Sequence, residues 1–114
     1  MSEDCDVEDI AALLEDETVR TILTETSIEP MSANALSERC GASEPTIYRR
    51  LKDLRAYDLI EEQTRPDPTG GHHYKVYSPR LRRVTVELED GSLTVELKRE
   101  EDIADRFTDL VEGM

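Results

Sequence analysis

The segment that most constrains the fold is CGASEPTIYRRLKDL, residues 40–54, because it stops one helix and starts another within four residues. Gly41 suits the left-handed position that closes a helix, Ser43 is an N-cap, and Pro45 falls in a first turn where its missing N–H costs nothing. The helix predicted to follow, over 44–57, carries Ile47, Leu51 and Leu54 at i, i+4 and i+7, a single inward seam. At roughly 100° per residue, the opposite face holds Pro45, Arg49, Lys52 and Asp53, flanked by Thr46 and Tyr48.

Three shorter helices are predicted upstream. Asp6 caps the first, with Val7, Ile10, Ala11, Leu13 and Leu14 at helical spacing; Asp16 caps the second, with Val19, Ile22 and Leu23 on one stripe until Ser27 to Pro30 stops it. Ser32 opens the third, which turns Ala35, Leu36 and Cys40 inward. Downstream the period changes. IEEQTR and HHYKVY flank the Pro/Gly-rich PDPTGG, the pattern of a hairpin with a long tip. A second hairpin, VTVELEDGSLTVEL, has Asp90–Gly91 suited to a two-residue type I′ turn. That turn sets Leu88 opposite Leu93, Val86 opposite Val95 and Val84 opposite Leu97 on one face, with Thr85, Glu87, Thr94 and Glu96 on the other. A final helix is expected over the C-terminal residues, with Ile103, Phe107, Leu110 and Val111 as its apolar stripe.

The expected fold class is therefore α+β: a helix-turn-helix followed directly by a hairpin, hence winged, with an added C-terminal β-hairpin and helix. The predicted division is a winged helix-turn-helix DNA-binding domain over 1–78 and a dimerisation unit over 79–114. One Phe and no Trp in 114 residues leave an aliphatic core that a partner subunit would complete. The expected homodimer uses Ile10 and Leu14 of the first helix and Ile103, Phe107, Leu110 and Val111 of the last.

Charge sharpens the reading. The chain carries a formal −13, with 27 acidic residues against 14 basic, of which only Lys52, Lys75 and Lys98 are lysine. A dense carboxylate coat with lysine avoided is the composition of a halophilic archaeal, cytoplasmic protein, whose self-repulsion concentrated salt screens. Residues 39–83 nevertheless hold ten basic groups and six acidic, a net +4, whereas the rest of the chain holds four and 21, a net −17. Positive charge gathers where a nucleic acid would meet the predicted recognition helix and wing. Arginine can bond bidentately to guanine, so Arg49 is the leading candidate for a base contact. Ser43, Pro45, Thr46, Tyr48, Arg50 and Lys52 complete the candidate DNA-binding residues of the helix, and Arg65, His72, His73 and Lys75 those of the wing, 61–77.

The run LLEDETVRTILTETS…ALSERCGASEPTIYRRLKDLRAYDLIEE resembles the winged helix-turn-helix regulators of the ArsR-like superfamily, particularly haloarchaeal members, over about residues 8–78. The resemblance implies a homodimeric transcriptional regulator of double-stranded DNA, at a promoter or operator of pseudo-palindromic form. In it the recognition helix enters the major groove and the wing lies on the backbone or minor groove. The rival reading is a winged-helix protein–protein interaction module of the transcription machinery.

Other classes lack their parts. Metal-sensing relatives bind through cysteine-rich motifs, and Cys5 and Cys40 form no CxxC pair. The adjacent His72 and His73 project to opposite sides of a strand and do not chelate one ion, so no metal and no cofactor are expected. The sequence has no P-loop, nucleophile elbow or HExxH motif, and no enzyme is expected. No run of eighteen apolar residues is present, so no membrane span is expected.

Overall fold

Local chemistry sets the helices. The structure, a computed structural model, describes residues 6–100. Four helices, α1 (Val7–Glu15), α2 (Glu17–Ile28), α3 (Ala33–Cys40) and α4 (Glu44–Ala56), precede β1 (Ile60–Pro66), β2 (His73–Pro79), β3 (Leu81–Glu89) and β4 (Ser92–Arg99). Each helix begins where a short polar side chain accepts from an otherwise unpaired N–H. Asp6 accepts from Asp9, Asp16 from Val19 and Ser32 from Ala35, each at 3.1 Å, and Ser43 from Thr46 at 3.4 Å. Gly41 closes α3 at φ 64°, a backbone conformation that a side chain would strain.

The helices pack their seams into an aliphatic core. Val19, Ile22, Leu36, Ile47, Leu51, Leu54, Leu59 and Ile60 are buried, joined by Ile10, Leu13, Met31 and the ring of Tyr77. Ile10 was expected at a dimer surface, and the structure corrects this. It is 3% exposed, because α1 turns the residue into the chain's own core. Leu14 is half-buried against the same core. Ile103, Phe107, Leu110 and Val111 lie outside the described residues.

Both hairpins form. β1 and β2 pair antiparallel from Ile60 opposite Pro79 to Pro66 opposite His73. Met31 adds a single rung on the other edge of β2, exchanging backbone bonds with Tyr77 at 3.1 and 2.8 Å. In the second hairpin the register is the one the turn predicts, Val84 opposite Leu97, Val86 opposite Val95 and Leu88 opposite Leu93. Asp90 and Gly91 both have positive φ, 53° and 78°, as a type I′ turn requires.

Long-range bonds seat the second hairpin on the first part of the chain. The N–H groups of Arg80 and Leu81 both donate to the Leu59 carbonyl, at 2.8 and 3.2 Å. The Arg99 guanidinium donates twice to the Tyr57 carbonyl at the end of α4, at 3.0 and 2.8 Å. Leu81, Val84, Val95 and Leu97 at the hairpin's base pack against the core. Its outer rungs, Val86, Leu88 and Leu93, stay more than half exposed.

Candidate nucleic-acid interface

The turn between α3 and α4 is held from both sides, which fixes how α4 is presented. The Ser37 hydroxyl donates to the Ala42 carbonyl, and the Asn34 amide donates to the Glu44 carboxylate at 2.9 Å. With Ile47, Leu51 and Leu54 buried, α4 exposes Pro45, Tyr48, Arg49 and Lys52 on its outer side, while Thr46 is half-buried at its start. Thr46 Oγ1 accepts from both the Ser43 hydroxyl, at 3.1 Å, and Arg49, at 3.4 Å. Ser43 is therefore occupied as the cap of α4, and Arg49 is steered along the helix toward its N-terminal turn.

Several cations are held by acidic partners. Arg39 pairs with Glu25 at 2.6 Å, Arg80 lies 3.6 and 3.9 Å from Asp58 and Glu61, and Arg82 pairs with Glu100 at 3.4 Å. Arg50, a candidate DNA-binding residue of the sequence, is ion-paired with Asp16 at 2.8 Å and half-buried. One residue is about 100° on a helix, enough to turn Arg50 toward the start of α2. Among the described residues Arg49, Lys52 and Arg65 take no ion pair.

The wing splits its predicted contacts between two faces. Strand alternation and the β1–β2 register put Glu62, Thr64, Lys75 and Tyr77 together, facing α4, and put Arg65 and Tyr74 on the reverse side. Lys75 therefore shares a cleft of about 660 Å³ with Tyr48 and Lys52, whereas Arg65 does not. His72 and His73 are exposed at the far end of the hairpin. Between them and β1, the Thr69 backbone N–H and hydroxyl donate to Asp67 at 2.9 and 2.8 Å, and these bonds hold its carboxyl below the usual range.

Two residues of this cleft escaped the sequence reading. Glu62 sits on its floor, with the Tyr77 hydroxyl donating to it at 3.0 Å, Arg55 at 3.6 Å and Lys75 at 3.7 Å. Arg55 was legible in hindsight: Tyr48, Lys52 and Arg55 recur at i, i+4 and i+7, a second stripe beside the buried one. Glu62 carries no such signal, because its importance comes from which groups meet it across the fold. Among the described residues no cluster of His, Cys, Asp and Glu has the arrangement of a metal site. Burial and the Glu25 carboxylate push the Cys40 thiol up, which keeps it protonated.

Comparison with known proteins agrees with this geometry. Residues 14–63 match the family model described as a helix-turn-helix domain, a span that runs from the end of α1 into β1. The match supports a helix-turn-helix family and suggests, as a general class, a DNA-binding regulator. No curated protein matches the chain. Among the described residues no helix is long and apolar enough to cross a membrane.

Proposed function

We propose that the protein is a sequence-specific, homodimeric transcriptional regulator of the ArsR-like kind from a halophilic archaeon. Its α4 lies in the major groove of double-stranded DNA and its first hairpin lies against the backbone or minor groove. The observation that carries the reading is the state of Arg49 and Lys52. In a chain of net charge −13, both stand exposed on the outer side of α4 with no acidic partner among the described residues. An unpaired guanidinium on a capped, rigidly seated helix suits bidentate contact with a guanine edge. The arginine-for-lysine bias and the carboxylate coat support the halophile.

Arg49→Ala should cost about 1–3 kcal/mol at a cognate site and relax one base position. The measurement is selection from random genomic fragments in molar KCl, followed by gel shift of the enriched sites with both proteins. Enrichment of a few pseudo-palindromic promoter sites, lost or broadened by Arg49→Ala, is the expected result. No enrichment by the wild-type protein would favour a protein-binding module instead, and equal binding by the variant would remove the role given to Arg49.

A further inference from the structure

The cleft between α4 and the first hairpin contains an arrangement that base reading does not use. We propose that it takes one phosphate of a duplex backbone, and that Glu62 on its floor competes internally for the cations that bind that phosphate. This rests on the DNA-binding reading above.

The geometry distinguishes what is fixed from what can move. Glu62 is held by the Tyr77 hydroxyl at 3.0 Å, a normal hydrogen bond, and its side chain is only 22% exposed. Arg55 and Lys75 stand farther off, at 3.6 and 3.7 Å, and their side chains are 52% and 61% exposed. At those separations they are attracted to the carboxylate without being bonded to it, and exposed pairs of this kind are weak. Lys52, which lines the same cleft, takes no ion pair among the described residues. Three cations, two of them near Glu62, thus line a cleft with one anchored anion, leaving it positive overall and open to a phosphodiester. An arriving phosphate meets Lys52 free of any ion pair and draws Arg55 and Lys75 from a carboxylate that stays in place, so it meets a like charge at close range. The carboxylate therefore caps the sequence-independent part of DNA affinity, leaving discrimination to Arg49.

Glu62→Gln is nearly isosteric, keeps an acceptor for the Tyr77 hydroxyl and removes the charge. The test titrates wild type, Glu62→Gln and Glu62→Asp, as full chains, with a labelled short duplex of random sequence over a series of KCl concentrations. Glu62→Gln should bind on the order of tenfold tighter, with a slope of log affinity against log salt steeper by about 1. Glu62→Asp should stay with the wild type. A second variant, Lys75→Met, alters an exposed side chain and should weaken binding and flatten the slope. Equal or weaker binding by Glu62→Gln with an unchanged slope, or unchanged binding by Lys75→Met, overturns the proposal while leaving the DNA reading intact. Failure of wild type and Glu62→Gln alike to bind any duplex overturns both.

Discussion

Tyr77 shows how one side chain can serve two layers of the molecule. Its ring is part of the core, its backbone carries the rung to Met31, and its hydroxyl reaches Glu62 in the cleft. Burial first, then the hydrogen bond and charge of Glu62, push the phenol up to about 12 from an ordinary value of 10.0. The folded protein therefore keeps this proton where the unfolded chain releases it. Stability is complete below about pH 10 and falls as pH rises toward about 12, the window between the unfolded and folded values. Tyr77→Phe retains the ring and removes the titrating group. It should cost about 1 kcal/mol near neutral pH and flatten the alkaline loss, read from urea unfolding at a series of pH values. An unchanged alkaline limb would place the titration on another group.

At the scale of elements, Asp16 joins two helices. It caps α2 through the Val19 N–H at 3.1 Å and holds Arg50 of α4 at 2.8 Å. Asp16→Ala should lose about 1–2 kcal/mol, chiefly the cap, whereas Arg50→Ala loses only a partly exposed pair, about 1 kcal/mol or less. Because Arg50 points to α2, its replacement should leave DNA binding unchanged where Arg49→Ala weakens it. Denaturant unfolding and gel shift on the two variants check both statements; equal stability losses would show that the cap contributes nothing. These elements also show what a sequence reveals. Asp6, Asp16, Ser32, Ser43 and Gly41 were legible because a cap acts on a backbone group within a few residues. The β3–β4 register was legible because Asp90–Gly91 and strict alternation leave one pairing that puts all six aliphatics on one face. Arg50 to Asp16, Met31 to Tyr77, Arg99 to Tyr57 and the surroundings of Glu62 were not legible, since each joins residues that only the packed core brings together. For the same reason Ile10 looked free on a helical wheel and proved to be core.

For the whole molecule, the proposed homodimer needs an exposed apolar surface where a second copy attaches. With Ile10 buried in the chain's own core, the large exposed hydrophobics among the described residues are Ile28, Tyr48, Tyr74, Val86, Leu88 and Leu93. Tyr48 lies on the outer side of α4, Tyr74 lies on the first hairpin, and Ile28 stands alone. Val86, Leu88 and Leu93 form a continuous strip, because Leu88 faces Leu93 directly and Val86 occupies the next apolar rung. Three aliphatic side chains fall short of the roughly 800 Å² per partner of a standard interface. The sequence offers the remainder at Ile103, Phe107, Leu110 and Val111, which follow the hairpin's base. In the proposed regulator, a dimer built on this hairpin would present two copies of α4 to half-sites about one helical turn apart, roughly 34–36 Å. Replacing Leu88 and Leu93 together by Asp puts charge on the strip without touching the core, so each protomer should stay folded. Light scattering in high salt should then give a monomer mass where the wild type gives a dimer, and affinity for a two-half-site duplex should fall while binding to a single half-site persists. A double variant that remains dimeric would move the interface off this hairpin.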